Sequence, residues 1–172
     1  MTIEDARAAA LRLLKFRPRS ESELKERLAQ KGFQETVVEI VVEDLRRKGF
    51  VGDAQFARYF AAQQSASKPV GRRLLMNRLK AKGVQPELAQ QAVELAMEGR
   101  DDLALARKAA GKRAAALAGL PRAAAERRLF GYLSRRGFSG DVVWKVVKET
   151  TQSHPHESED QKDSRFRGND RV

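Results

Sequence analysis

The sequence predicts an all-α protein built as an elongated, curved array of three tandem three-helix repeats. Three observations carry this reading. Apolar residues recur at spacings of three and four in nearly every segment before residue 150. The string L-x-x-[K/R]-G-[F/V] occurs as LAQKGF at 28–33, LRRKGF at 45–50, LKAKGV at 79–84 and LSRRGF at 133–138. No segment shows a convincing strand pattern.

The first helix is expected over residues 4–16, with Ala8, Leu11 and Leu14 in its apolar spacing. Pro18 interrupts it. Ser20 and Glu23 then form an S-x-x-E capping box, opening a second helix with the stripe Leu24 and Leu28. Gly32 stops that helix, because glycine enters the left-handed conformation without a Cβ penalty. The third helix carries Val37, Val38, Ile40, Val41, Val42 and Leu45. Its β-branched residues would permit a strand, but its length and the charges at Glu39, Glu43 and Asp44 favour a helix with one buried face.

Asp53 can start a fourth helix bearing Phe56, Ala57 and Phe60, which ends in the loop SASKP. A basic fifth helix over 70–82 turns Leu75 and Leu79 inward. Pro86 suits the first turn of the sixth, with Leu88, Ala92, Val93 and Leu95. Asp101 and Asp102 favour the start of an alanine-rich helix near 100–117. Pro121 starts the eighth, which runs through Arg136, and residues 139–150 form the ninth.

Three of the four motif copies share a longer register. Leu24, Leu75 and Leu129 lie four residues before the motif leucine. Apolar residues follow the glycine at +5, +6, +9 and +10: Val37, Val38, Val41, Val42; Leu88, Ala89, Ala92, Val93; and Val142, Val143, Val146, Val147. The glycines Gly32, Gly83 and Gly137 are 51 and 54 residues apart, which divides the chain into repeats at 1–50, 51–99 and 100–150. The polar stretch 151–172 lacks periodicity and reads as a disordered tail. Each unit is too small to hide its own apolar face, so stacked neighbours are expected to complete the core.

Composition narrows the chemistry. The absence of cysteine excludes disulfides, a thiol nucleophile and Cys-containing zinc sites. The two histidines, His154 and His156, fall in the tail, and no P-loop or paired-carboxylate arrangement stands out. The reading is therefore a non-enzyme without cofactor or metal. No apolar run approaches a membrane span and the N-terminus lacks a secretion-signal layout, so a soluble, cytoplasmic monomer is expected.

The net charge of +11 is unevenly placed. Residues 1–50 hold 11 Lys/Arg against 9 Asp/Glu, whereas residues 51–152 hold 19 against 9. Positive charge concentrated in the folded part favours a polyanionic partner, either nucleic acid or an acidic protein face.

The stretches ALRLLKFRPRSESELKERLAQKGF, LRRKGFVGDAQFARYF, RLKAKGV and YLSRRGFSGDVVWKVV together resemble the RecX family of recombinase regulators, over residues 6–149. The resemblance implies three-helix, helix-turn-helix-like repeats. It also implies binding to the RecA recombinase and its nucleoprotein filament, with suppression of filament growth, ATP hydrolysis and strand exchange, and so a place in DNA repair, recombination and the SOS response. Departures from the family pattern are Gly52, where an acidic residue is common, Gln63 and Gln64, where an arginine is common, and Arg78, in place of an acidic residue.

Lys31, Lys48, Lys82 and Arg136, in the motif itself, have a structural account as cations complementing helix C-termini. Arginines outside that role are better ligand candidates. Arg73 and Lys80 project opposite Leu75 and Leu79, and Arg127, Arg128 and Arg135 lie away from Leu129 and Leu133. With Arg72 and Arg78 they form a basic stripe across two repeats, the candidate surface for recombinase or DNA. Trp144, within VVWKVV, reads as packing; Tyr132 is ambiguous. The alternative function is a helical transcription regulator, and a general scaffold for acidic proteins is a third. Spread-out charge with few Asn or Gln favours weak, salt-dependent, sequence-indifferent DNA contact over base readout.

Circular dichroism should give a dominantly helical spectrum, and truncation after Gln152 should leave it and the melting temperature unchanged. A substantial β signal would contradict the repeat reading.

Overall fold

The computed structural model describes residues 2–152, and among these there are nine α-helices and no strand. Helices α1 (Ile3–Phe16), α2 (Glu21–Gln30) and α3 (Glu35–Arg47) form the first unit. Helices α4 (Asp53–Ser67), α5 (Arg72–Lys80) and α6 (Pro86–Ala96) form the second. The third comprises α7 (Asp102–Ala114), α8 (Arg122–Arg135) and α9 (Gly140–Gln152), with a 3₁₀ turn at Ala115–Leu117 after α7. Helix α4 extends through the SAS of the expected loop, and α9 runs two residues past the expected start of the tail. Thr151 holds that end, its hydroxyl donating to the Val147 carbonyl at 3.0 Å. The rest of the expected tail, with both histidines, lies outside the described residues.

The shared register has a common packing role. Leu24, Leu28, Leu75, Leu79, Leu129 and Leu133 are all fully buried. At +5 after each glycine the residue is half-buried, while those at +6, +9 and +10 are buried in all three units. Gly32, Gly83 and Gly137 adopt φ of 87°, 78° and 83°, and the residue after each (Phe33, Val84, Phe138) folds back into the core. This is the hydrophobic contact of a left-handed helix stop. The copy at 45–50 differs: Gly49 stops α3 with φ 75°, but Phe50 is 58% exposed.

The expectation of a core shared between units fails. The buried apolar residues fall into three clusters: Ala6 to Val51, Phe56 to Met97, and Ala106 to Val147. Within each unit the first and third helices pack together, and the middle helix packs on the third. Small alanines on α1, α4 and α7 (Ala6, Ala10, Ala57, Ala61, Ala106 and Ala110, all within 1% of full burial) let the helices approach closely enough for about fifty residues to enclose a core. Leu105 touches both the second and third clusters.

The joints between units are mostly polar, and both are built alike. At the first, the Ser20 hydroxyl caps α2 by accepting from the Glu23 amide at 3.1 Å and donates to the Lys82 carbonyl at 2.7 Å. At the second, the amide of Gly71, the N-cap of α5, donates to the Arg136 carbonyl at 2.8 Å. Lys82 and Arg136 each precede the stop glycine of their own unit. Thus the C-terminus of α8 abuts the start of α5, and the stop after α5 abuts the start of α2. Asp53 joins in: rather than capping α4, its carboxylate accepts from the Glu21 amide at 2.9 Å.

The capping box expected at Ser20 forms only in half, because Glu23 turns away from the Ser20 backbone. Its buried carboxylate is gripped by Arg17, by Arg19 at 2.6 Å and by Lys82 of the second unit at 4.0 Å. Burial acts to raise the Glu23 pKa, but the Arg17 hydrogen bond and the charges of Arg17, Lys82 and Arg19 outweigh it and hold the carboxyl below its ordinary 4.5. A reciprocal capping box does form at the start of α1, between Thr2 and Asp5.

Two outcomes follow from the joints. A Cβ on Gly137 would lie 2.2 Å from the Leu74 amide nitrogen, whereas one on Gly49, also left-handed, would meet nothing within 4 Å. Gly49→Ala should therefore cost only the left-handed penalty, roughly 1–2 kcal/mol, and Gly137→Ala distinctly more, measured by urea denaturation. Equal losses would contradict this joint geometry. Because its folded pKa is depressed, Glu23 stabilises fully above pH 4.5 and loses that contribution as the pH falls through its lower folded value. Glu23→Gln should then be destabilised by about 1–3 kcal/mol at pH 7, with the difference from wild type shrinking in acid.

Candidate functional site

Helices α5 and α8, one from each of two adjoining units, carry the cations singled out by sequence. The structure separates these into residues engaged in joints and residues that remain on the surface. Arg72 donates to the Met97 carbonyl at 3.2 Å and lies 3.6 Å from the Asp102 carboxylate, tying α5 to the α6–α7 connection. Arg73 spans the α5–α8 joint: its amide donates to the Gly137 carbonyl at 3.3 Å and its guanidinium to the Ser134 carbonyl at 3.3 Å. Lys80, Arg127 and Arg128 are exposed.

Arg78 and Arg135 meet at a cleft between the second and third units. The cleft has a volume of 460 Å³ and is lined by Gln64, Ser67, Lys68, Val70, Leu74, Arg78, Tyr132, Arg135 and Arg136. Arg78 bonds Gln64 of α4. Residues 64 and 78 are therefore partners, and the cleft holds this cation without an acidic residue in its lining. The Arg135 guanidinium lies over Gly131, where a Cβ would come within 3.1 Å of its Nη1.

Sequence reasoning missed two cations of this cleft. Lys68 sits at the C-cap of α4, inside what was expected to be an ordinary loop. Arg136 had been assigned to the helix dipole of its own unit. Its side chain instead crosses the joint, donates to the Pro69 carbonyl at 2.8 Å and lies 5.1 Å above the Tyr132 ring. Arg113 approaches the same ring at 5.9 Å. The signal was the repeat itself: Lys82, at the equivalent position, also reaches back, to Glu23.

Trp144 packs, but at the rim and not inside the core. It is 52% exposed, and its ring is tilted at a centroid distance of 4.9 Å against Phe130, which is half-buried against the third core. Among the described residues no group of three or more His, Cys, Asp or Glu is placed to hold a metal ion, and no helix is long and apolar enough to cross a membrane.

Family models match this architecture unit by unit. The model described as RecX, first three-helix domain, matches residues 6–45; the second domain matches 53–93 and the third 100–147. "Regulatory protein RecX" of Amycolatopsis mediterranei is 35% identical over 147 residues, covering 85% of this chain and 83% of its own. Of solved structures, RecX from Lactobacillus salivarius superimposes with a TM-score of 0.70 at 17% identity, over 87% of this chain and 97% of its own. A second, a regulatory protein RecX, gives 0.76 at 22% identity, over 86% and 73%. Both share the fold.

Since Lys80, Arg127 and Arg128 are exposed on single helices, their replacement by alanine should change stability by about ±0.5 kcal/mol or less. Arg73→Ala should cost more, by loss of its bond to Ser134. Thermal melts of the four single variants decide this.

Proposed function

The chain belongs to the RecX family, and from that premise we propose that it is a negative regulator of homologous recombination. In this reading it binds the RecA recombinase and its single-stranded-DNA filament in the cytoplasm, limiting filament growth, ATP hydrolysis and strand exchange. Its role is regulatory and non-catalytic. The observation that carries the reading is the set of exposed cations on equivalent helices of two consecutive family units. Lys80 on α5 and Arg127, Arg128 and Arg135 on α8 lie on units held in line by their joints. Such a surface suits a long polyanion or a repeating acidic face, and it makes phosphate contacts that fix position without reading bases. A single reading helix, as a transcription regulator of this size would use, fits less well with charge divided between two units.

The test is recombinase ATP hydrolysis on single-stranded DNA, titrated with the protein. Wild type should suppress it; unchanged hydrolysis at saturating protein would overturn the proposal. The combined variant Lys80→Glu, Arg127→Glu, Arg128→Glu should raise the half-inhibitory concentration about tenfold or more, equivalent to about 1.4 kcal/mol of binding. A control reversing Arg12, Lys15 and Lys31 in the nearly neutral first unit should change it less. Equal losses at matched melting temperature would show that total charge acts and that this surface does not.

A further inference from the structure

We propose that the cleft between the second and third units is a binding site for oligophosphate, meaning two or more consecutive phosphate groups. This goes beyond the recombinase reading and needs no recombinase to hold.

Four of the nine residues lining the cleft are cations (Lys68, Arg78, Arg135 and Arg136) and none is acidic. Two other surface cavities of similar size differ in this respect. One, of 490 Å³ beside α2 and α3, has Glu26, Glu35 and Glu39 against a single lysine, Lys25. The other, of 420 Å³ on α6, has Glu94 and Glu98 and no cation. Like charges brought to one concavity repel, and with no carboxylate in the lining a bound anion is the counter-charge that remains.

The backbone supplies little of the missing negative charge beyond the Pro69 carbonyl that accepts from Arg136. Helix α8 ends at this joint, and its terminal carbonyls would present partial negative charge to the cleft. Those of Ser134, Arg136 and Gly137 are already taken by the Arg73 side chain, the Gly71 amide and the Arg73 amide. Arg136 gives one donor to the Pro69 carbonyl and Arg78 one to Gln64, but a guanidinium carries five, so both keep donors for the cleft, and its planar fork matches phosphate oxygens in pairs.

Size and chemistry narrow the ligand further. A volume of 460 Å³ falls in the range of small-ligand sites, enough for a short run of phosphates. The Tyr132 ring already serves the guanidinium groups of Arg136 and Arg113. Recognition thus falls on phosphates and not on a stacked base. Lys68 and Arg78 come from the second unit, Arg135 and Arg136 from the third. A ligand touching all four would fasten one unit to the other.

Free oligophosphate and the backbone of a DNA strand offer the same chemistry, and titration calorimetry of the 172-residue chain at constant ionic strength distinguishes them. Sodium tripolyphosphate should bind saturably, one per chain, and raise the melting temperature above that in sulfate of equal ionic strength. Lys68→Ala with Arg135→Ala should weaken this binding by about tenfold or more. Lys80→Ala with Arg127→Ala, the same loss of charge outside the cleft, should weaken it far less. Should the first pair melt early, Lys68→Gln alone, at an exposed position, carries the same comparison. A short oligothymidylate that competes with tripolyphosphate identifies strand backbone as a source of the phosphates; tripolyphosphate binding without competition identifies the free form. Either outcome upholds the site. No saturable binding of tripolyphosphate, or equal weakening by both pairs, overturns it. Because no recombinase is present, that failure would leave the regulatory reading standing.

Discussion

The structure depends on one device used twice: the end of a helix in one unit completes the beginning of a helix in the unit before it. A helix starts with amides that lack acceptors and ends with carbonyls that lack donors. Placing the Arg136 carbonyl on the Gly71 amide, and the Lys82 carbonyl on the Ser20 hydroxyl, satisfies groups on both sides at once. It also sets the negative end of one helix dipole against the positive end of the next. The fit at the second joint is tight enough to demand two glycines. A Cβ on Gly71 would come within 2.2 Å of the Gly137 oxygen, although Gly71 itself has φ −88° and no conformational need of glycine.

That distinction explains what could be read in the sequence. Helix order, stops and inward faces were legible because each is written locally, in the spacing of Leu75 and Leu79 or in the left-handed requirement at Gly32, Gly83 and Gly137. The joints were not, because their partners are 62 and 65 residues apart and Gly71 serves by what it lacks. Glu23 misled for a related reason. S-x-x-E is the signature of a capping box, but Arg17 and Arg19 lie just before it and offer the carboxylate two charged partners, a stronger draw than one backbone amide. Trp144 packs as its valine-rich setting suggests, but on Phe130 at the rim and not within the core strip. It occupies the position between Val143 and Val146 that faces outward, as the burial of both valines shows.

The candidate surface was legible in composition but not in membership. Seven cations off the leucine faces were visible, yet helical geometry alone cannot tell a side chain that reaches solvent from one that reaches a neighbouring unit. Arg72 and Arg73 sit at the start of α5, where the joint passes, and are drawn into it. Lys80 ends α5 beside the first joint and Arg127 lies mid-way along α8, yet both side chains stay exposed. The same logic brings in Arg136, whose position in the motif suggested a local role until the repeat placed another unit within its reach.

Separate cores give the joints their functional meaning. Had the units shared an apolar interface, changing the angle between them would re-expose buried carbon at roughly 25 cal/mol per Å². Here each core closes on itself, and a joint consists of a few hydrogen bonds, an ion cluster and small contacts such as Leu105. Each hydrogen bond is worth about 0.5–1.5 kcal/mol net, and water can replace it when the joint opens. The covalent order and the paired helix ends keep the units in line, while the energy resisting a bend stays small. The proposed binding along a long partner would draw on that combination. Cations on successive units can settle onto successive charges without unfolding any unit, so binding energy is not consumed in disrupting a core.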